Sequence, residues 1–364
     1  MTDRDYMERA LELAVKATGW TNPNPLVGAV IGKDGRIIGE GYHHRKGEPH
    51  AERNAIASLT ESAEGATIYV TMEPCCHYGL TPPCTEAIIE NRIAKVVIGS
   101  RDPNPKVAGK GVLQLREAGI EVVEDFMREE CDAINEVFFH YITTNTPYVV
   151  MKYAMTADGK IATRTGESKW VTGPEAREAV HQMRNKYMGI MVGIGTVLAD
   201  NPMLNARIDG ARDPIRIICD SNLRIPMDCQ IVKTAKEIRT IVACACNADN
   251  LRDKRDALTA AGVEIIDCPD GSGRIDLKKL MELLGAMKID SVLIEGGGTL
   301  NYSALEAGIV NEVAAFIAPK LWGGSEAKTP VEGIGVELPA EGTELELADV
   351  KQVGRDILIR YRKA

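Results

Sequence analysis

Alternating strand and helix patterns along the whole chain predict an α/β protein built from two domains. The 364 residues exceed what one ordinary core takes up, since single hydrophobic cores stop growing at roughly 250–300 residues. The short polar stretch 143–147 interrupts the alternation and ends in Pro147, which cannot continue a helix. The sequence therefore predicts a first domain over residues 1–145 and a second over residues 146–364.

The first domain has the order of elements expected of three layers, with helices on both faces of a sheet. Apolar residues recur at helical spacing from Tyr6 to Ala14. Asp34-Gly35 between two apolar stretches indicates a hairpin, because its turn needs positive φ. The other expected elements are strands over 26–31, 36–41, 67–72, 95–100 and 120–123, a helix starting at His50, a helix after Cys75, and helices over 111–118 and 129–141.

The second domain alternates in the same way and contains two glycine-rich turns, 193–196 and 295–299. Glycines let backbone N–H groups approach a phosphate at a helix N-terminus, which suits the second turn. Neither turn has the spacing of the dinucleotide fingerprint, so a Rossmann domain is not indicated, and tight turns explain both equally well. The expected strands cover 148–154, 190–197, 214–219, 240–245, 263–266, 291–294, 312–318 and 357–362.

One group of residues in the first domain carries specific chemistry. His50, Cys75 and Cys84 offer one imidazole and two thiolates, which are three ligands for a tetrahedral zinc. Three protein ligands leave a fourth position open for water, as in catalytic sites. Glu52 lies two residues from His50, where it can move protons for a zinc-activated water. His-x-Glu followed by Pro-Cys and a second Cys is the signature of the zinc deaminases.

A closed structural zinc clip is the alternative reading of these residues. Cys76 or His77 would then supply the fourth ligand. Adjacent Cys75 and Cys76 would need an awkward turn to reach one ion, and Glu52 would have no role. Cys76 and His77 are therefore interpreted as packed side chains.

Composition narrows the substrate class and the compartment. The net charge of −9 and the lack of a Lys/Arg cluster near the zinc motif argue against a nucleic-acid substrate. Nine cysteines without a disulfide framework fit a reducing compartment. No apolar run approaches the roughly 20 residues needed to cross a bilayer. We expect a cytoplasmic protein that acts on a small phosphorylated metabolite, with no nucleic-acid or membrane partner. We also expect it to be a homo-oligomer. A nucleic-acid deaminase and a zinc-binding regulatory module stay open as rivals.

Several stretches together resemble the bifunctional riboflavin-biosynthesis deaminase/reductase family. The first-domain stretches are 21–30, 47–52 and 73–84, and the second-domain stretches are 151–165 and 193–207. The eight residues between Cys75 and Cys84 depart from the Pro-Cys-x-x-Cys of most zinc deaminases and match this family. The resemblance implies a cytidine-deaminase-like first domain and a dihydrofolate-reductase-like second domain.

For the first domain, the resemblance implies zinc-dependent removal of the 2-amino group of 2,5-diamino-6-ribosylamino-4(3H)-pyrimidinone 5′-phosphate. Glu52 would be the catalytic acid and base, with one zinc on His50, Cys75 and Cys84. Leu80 stands where the family has a phosphate-binding Lys or Arg, and Lys106 or Lys110 could take that part. The substrate-binding positions implied are Asn24, His43, Asp102 and Asn104.

For the second domain, the resemblance implies NADPH-dependent reduction of the ribosyl group to ribityl. Arg184 and Arg207 suit a phosphate because guanidinium donors are forked, although a surface salt bridge would explain each arginine alone. The roles of Lys152 and Asp200 stay open. The cofactor positions implied are Ala154, Trp170, Thr196, Asp200, Ser221, Gly297, Gly298 and Thr299. The substrate positions implied are Lys152, Ser168, Arg184, Leu204, Arg207 and Glu295.

Overall fold

The chain was analysed as a computed structural model. The structure describes residues 1–79, 81–104, 107–246 and 251–364. The chain divides into two compact units, Met1–Asn145 and Thr146–Ala364. Both are mixed α/β units, which confirms the predicted fold class.

The first unit contains a five-stranded sheet in the order β2-β1-β3-β4-β5. β1 runs antiparallel to β2 and β3, while β3, β4 and β5 are parallel. The β1–β2 turn has positive φ at both Asp34 and Gly35, as predicted. The strands are β1 Gly28–Lys33, β2 Arg36–Tyr42, β3 Thr67–Met72, β4 Lys95–Ser100 and β5 Glu121–Val123. The helices are α1 Asp3–Ala14, α2 Ala51–Ala57, α3 Cys84–Glu90, α4 Lys110–Glu117, α5 Arg128–Ala133 and α6 Glu136–Thr144.

Two cores on opposite faces of this sheet give the predicted three layers. Side chains alternate between the faces of a strand, so neighbouring residues of β1 serve different cores. Val30 packs with Met7 and Ala10 of α1. Ala29 and Ile31 pack on the other face, where α2, α3 and α4 contribute.

The predicted helix over 129–141 is wrong in one respect, because the structure has two helices there. α5 ends at Ala133 and α6 begins at Glu136. Asn135 between them is buried, and its side chain accepts from Leu26 N at 2.8 Å and donates to Leu26 O at 2.9 Å. This pairing fixes Asn135 outside the helix. Apolar spacing alone could not reveal it.

The second unit contains a nine-stranded sheet in the order β10-β9-β8-β7-β11-β6-β12-β14-β13. The pairs from β10 to β12 are parallel, and β14 runs antiparallel to both of its neighbours. The strands are β6 Tyr148–Thr156, β7 Gly189–Gly193, β8 Ile215–Cys219, β9 Thr240–Cys244, β10 Val263–Asp267, β11 Ser291–Ile294, β12 Glu312–Ala318, β13 Leu345–Val353 and β14 Asp356–Lys363. The helices are α7 Pro174–Lys186, α8 Ile194–Asp200, α9 Gln230–Lys233, α10 Arg252–Ala260, α11 Leu277–Ala286 and α12 Gly298–Glu306.

Helices cover both faces of this second sheet. α11 and α12 pack on one face against side chains such as Met191 and Ile217. α8, α9 and α10 pack on the other face against Ile190 and Ile218. The inner parallel strands β7, β9 and β11 are therefore buried from both sides and consist mostly of apolar residues.

Two predictions for the second unit need correction. The strand expected over 190–197 stops at Gly193, which caps the N-terminus of α8. Strand β13 was not expected at all. It lies at one edge of the sheet, and its Leu347 and Val350 are 63% and 56% exposed, so burial did not shape a clear alternation there.

Within the described ranges, no helix combines the length and apolar character needed to cross a membrane.

Candidate active sites

His50, Cys75 and Cys84 come together as the sequence predicts. His50 Nδ1 lies 3.4 Å from Cys75 Sγ and 3.5 Å from Cys84 Sγ. Zn–S bonds of about 2.3 Å and Zn–N bonds of about 2.0–2.1 Å at tetrahedral angles separate such donor atoms by about 3.5 Å. Among the described residues these three form the one His/Cys/Asp/Glu group with metal-ligand spacing. The geometry therefore fits a zinc ion.

Three chain segments deliver these ligands. His50 is the N-cap residue of α2, Cys75 follows the end of β3, and Cys84 is the first residue of α3. The expectation that a helix begins just after Cys75 is wrong, because α3 begins only at Cys84. Cys75 still meets that helix, since its carbonyl accepts from Cys84 N at 3.0 Å and from Thr85 N at 3.2 Å.

The thiols of Cys75 and Cys84 are hydrogen-bonded to each other, and the effect of this bond on their pKa values favours binding of a cation. A hydrogen bond from Cys84 lowers the pKa of Cys75 to about 4, while burial opposes that shift. The same hydrogen bond and burial raise the pKa of Cys84. One thiolate therefore forms readily and the second does not. A metal ion between them removes this penalty, because coordinating thiols are deprotonated.

Glu52 lies on the first turn of α2 and is 3% exposed. Burial raises the pKa of its carboxyl to about 7, and the negative charge of Cys75 acts in the same direction. A carboxyl that titrates near neutrality can both accept and return a proton, which general acid–base catalysis requires. Its place beside the three ligands matches the role expected from the sequence.

Asn24 and His43 are linked by a hydrogen bond of 3.2 Å between Asn24 Nδ2 and His43 Nε2. His43 Nδ1 is 3.2 Å from the carbonyl of Pro49, which can only accept, so Nδ1 carries the ring proton. Burial lowers the pKa of His43 and keeps the ring neutral. His43 is 2% exposed and both nitrogens are engaged. It therefore orients the Asn24 amide, whose oxygen is left to meet a ligand.

Asp102 and Asn104 follow the end of β4. Asp102 Oδ1 accepts from Asn104 N at 2.8 Å, and burial raises the pKa of Asp102 to about 6. Leu80 and Lys106 lie outside the described residues, so their predicted parts are not described. Lys110 is exposed at the start of α4.

Glu73 is a residue of this site that sequence reasoning missed. Its buried carboxylate accepts from Gly109 N at 3.1 Å and from Val112 N at 3.5 Å. Gly109 has no side chain to cap α4, so Glu73 supplies the cap from a distant segment. Because Glu73 directly precedes Pro74-Cys75, this cap ties the metal-ligand loop to the segment that follows Asp102. No local pattern signals such a long-range cap.

Replacing Glu73 with Gln should destabilise the protein by about 1–2 kcal/mol, because an amide NH₂ would face a buried backbone N–H. Urea unfolding of the first unit measures this change. Glu117→Gln at the exposed end of the same helix is the matched control and should be neutral or slightly stabilising, since an acidic residue there opposes the helix dipole. Equal urea midpoints for Glu73→Gln and wild type would contradict the capping role.

Many of the residues predicted for the second site lie in, or directly after, the carboxyl-terminal halves of four adjacent parallel strands. Those strands stand in the order β8-β7-β11-β6, and ligands of open α/β sheets bind at this edge. The predicted positions are Ser221 after β8, Thr196 and Asp200 in α8 after β7, Glu295 to Thr299 after β11, and Lys152 and Ala154 in β6. Ser168 and Trp170 lie in the segment between β6 and α7, where Trp170 is 58% exposed.

Glu295 sits at the centre of a buried ionic triad. Its carboxylate binds Arg184 twice, at 2.7 Å to Nε and 3.1 Å to Nη2, and Lys152 Nζ at 3.3 Å. Burial would raise the pKa of Glu295, but the two cations outweigh it and lower that pKa to about 2. Arg184 also donates to Asn205 O at 3.0 Å. Arg184 is therefore committed to Glu295 and is no surface salt bridge.

Leu204 and Arg207 share a backbone segment with unusual geometry. Both have left-handed φ, at 54° and 55°, and such strain in non-glycine residues often marks a functional site. The Leu204 side chain is 3% exposed and belongs to a core, so its backbone is what a ligand could meet. Arg207 is exposed, and its Nε donates to Asn205 Oδ1 at 3.1 Å.

The glycine turn after β11 opens α12, with Gly297 as its N-cap residue. A side chain on Gly298 would come within 2.7 Å of the Thr329 carbonyl, so the close packing there requires glycine. At Gly297 nothing lies within 4 Å of an added Cβ, which leaves space beside the helix N-terminus. That space and the N-terminal N–H groups fit a cofactor phosphate.

Comparison with protein-family models assigns both halves of the chain. Residues 1–100 match the cytidine and deoxycytidylate deaminase zinc-binding region. Residues 147–359 match the RibD C-terminal domain.

Full-length relatives agree with both matches. The riboflavin biosynthesis protein RibD of Actinobacillus pleuropneumoniae is 57% identical over 99% of this chain and 95% of its own length. The protein of the same name from Escherichia coli is 40% identical over 99% of each chain. A crystal structure of a diaminohydroxyphosphoribosylaminopyrimidine deaminase/5-amino-6-(5-phosphoribosylamino)uracil reductase from Thermotoga maritima superposes with a TM-score of 0.88 at 38% identity, covering 100% of this chain and 99% of that one. The chain belongs to the RibD family of riboflavin biosynthesis proteins.

Proposed function

We propose that the chain catalyses two successive steps of riboflavin biosynthesis, one in each unit. The first unit deaminates the phosphorylated diaminopyrimidine, and the second unit reduces the ribosyl group of the resulting aminouracil to ribityl. The observation that carries this proposal is the cluster of His50, Cys75 and Cys84 beside buried Glu52. Full-length similarity to RibD proteins supports the pairing of both activities in one chain.

In the deaminase unit, His50, Cys75 and Cys84 hold the zinc. Bound zinc supplies Lewis-acid activation of water at neutral pH. Glu52 accepts one proton from the attacking water and passes it to the ring nitrogen. It then accepts the second proton from the hydroxyl of the tetrahedral adduct and passes it to the amine, which leaves as ammonia. The Asn24 amide oxygen, fixed by His43, accepts from an N–H of the pyrimidine. Asp102 and Asn104 bind the ribose side.

In the reductase unit, the 297–299 turn and Thr196, Asp200, Ser221, Ala154 and Trp170 bind NADPH. The cofactor supplies the hydride. Glu295 stays ionised, because Lys152 and Arg184 lower its pKa, and it therefore cannot donate a proton at neutral pH. Its role is to hold Lys152 and Arg184 at the edge of the pocket. Ser168 and the Leu204 backbone bind the substrate at the same edge. Arg207, which is exposed, binds the substrate phosphate.

Two assays on the purified chain test this function. We expect about one zinc per chain, ammonia release from the diaminopyrimidine phosphate, and NADPH oxidation that depends on the deaminated product. Cys84→Ser should lose zinc and ammonia release while reduction continues. Cys76→Ser is the matched control and should keep both activities, because Cys76 is not in the ligand cluster. Full deamination by a zinc-free chain would contradict the proposal.

Compartment and assembly are also part of this proposal. Nine cysteines, two of them metal ligands, call for a reducing compartment, so we place the enzyme in the cytoplasm. The net charge of −9 disfavours nucleic-acid partners. We expect a homo-oligomer, which sedimentation of the purified chain would test.

A further inference from the structure

The deaminase site is acidic, which poses a problem for a phosphorylated substrate. Two thiolates balance a bound zinc, while Glu73 and Asp102 add carboxylates next to the ligand loop. A phosphate monoester carries a charge of about −1.5 to −2 at pH 7. Binding it beside these groups requires at least one well-placed cation.

Arg53 is the best-placed cation among the described residues. It lies on α2, one residue after Glu52 and three after His50. Its Nε donates to Pro82 O at 3.1 Å and its Nη2 donates to Pro83 O at 2.8 Å, directly before Cys84. The guanidinium therefore stands beside the metal centre.

The hydrogen bonds of Arg53 leave it able to bind an anion. A guanidinium has five N–H donors, and the two carbonyls take two of them. Within the described ranges, no carboxylate forms an ion pair with Arg53. The carbonyls hold the group in place without neutralising its charge, and a preorganised fork of this kind suits a phosphate.

Other cations near the site are less suited to this role. Arg101 is bound by both carboxylate oxygens of Asp125. Lys110 is the first residue of α4 and is exposed. Lys is also a flexible point charge without a fork.

We propose that Arg53 binds the phosphate of the deaminase substrate, with its remaining N–H donors directed at the phosphate oxygens. This inference rests on the proposed deaminase function and names the residue that selects phosphorylated substrates. The same contacts to Pro82 and Pro83 hold the segment before Cys84. Arg53 thus contributes both to substrate affinity and to the position of the zinc-binding loop.

The test compares phosphorylated and dephosphorylated diaminopyrimidine in the full-length zinc-loaded chain. For Arg53→Gln we expect KM for the phosphorylated substrate to rise about 10- to 100-fold, as loss of a charge-assisted hydrogen bond implies. Any loosening of the segment before Cys84 should lower kcat for the phosphorylated and the dephosphorylated substrate by the same factor, whereas KM for the dephosphorylated substrate should stay within about twofold. Arg53→Lys should fall in between. High salt should weaken phosphate selectivity in wild type more than in Arg53→Gln.

Arg36→Gln is the matched control, because it removes one equally positive, exposed arginine at the β1–β2 hairpin. It should leave phosphate selectivity unchanged. If Arg53→Gln lowered kcat/KM equally for both substrates, with or without loss of zinc, Arg53 would only hold the loop before Cys84. That result would overturn the inference. Loss of selectivity in Lys110→Gln instead of Arg53→Gln would also overturn it. If wild type released no ammonia from the phosphorylated substrate, the proposed function itself would fail, and the inference with it.

Discussion

Replacing Glu52 with Gln should lower ammonia release by roughly 10³–10⁴-fold, the upper part of the range for a general acid–base group. Gln has nearly the same shape as Glu but can neither take a proton from water nor return it to the leaving amine. Because Glu52 handles more than one proton transfer in the proposed reaction, the loss should appear in kcat rather than in KM. A stopped ammonia assay on the full chain measures it.

Two measurements show whether the loss in Glu52→Gln is chemical. Zinc content should stay at about one per chain, since Glu52 is not a ligand, and NADPH-dependent reduction should continue. Glu86→Gln is a suitable control, because Glu86 is on the neighbouring helix α3 and, among the described residues, its carboxylate accepts hydrogen bonds only from the Tyr78 hydroxyl. Deamination by Glu52→Gln within tenfold of wild type would remove Glu52 from the mechanism.

Local patterns were sufficient to predict that His50, Cys75 and Cys84 lie together. The relative positions of His50 and Glu52 are set by the start of a single helix, α2. His50 is the N-cap residue of that helix, and neighbouring residues in the sequence are enough to predict such a start. Cys75 follows strand β3, which is rich in β-branched and aromatic residues and is therefore recognisable from the sequence. The exact place of the following helix was missed, because the segment between Cys75 and Cys84 has neither helical nor strand periodicity.

Features that depend on long-range pairing could not be predicted from the sequence. The cap that Glu73 gives α4 joins residues 36 positions apart, and Asn135 reaches Leu26 across 109 positions. Arg184 was expected to meet a phosphate, yet the fold brings Glu295 to it from 111 positions away. In each case a polar side chain pairs with buried groups that only the tertiary structure brings near it. The residue type therefore indicates what kind of bond the side chain forms, but not which residue it bonds to.

The Glu295 triad implies a large stability effect in the second unit. Glu295→Gln would leave Lys152 and Arg184 largely buried without their counter-charge, and removing one partner of a buried ion pair typically costs about 3–5 kcal/mol. Unfolding in urea, followed by Trp170 and Trp322 in a chain whose Trp20 is Phe, reports on the second unit alone. Reduction should also fall sharply, because Lys152 and Arg184 would lose their fixed positions at the pocket.

Acid adds an independent check on the same carboxylate. Glu295 has a folded pKa of about 2, below its ordinary value of 4.5, so its contribution to stability is present at neutral pH and is lost as pH falls from about 4.5 towards 2. Glu295→Gln should lack that part of the acid dependence. Glu264→Gln is the matched control, because Glu264 also binds an arginine, Arg239, through both oxygens but is exposed. Exposed pairs contribute about 0–1 kcal/mol. Similar urea midpoints for Glu295→Gln and Glu264→Gln would show that burial does not strengthen this triad, and the positioning role of Glu295 would lose its physical basis.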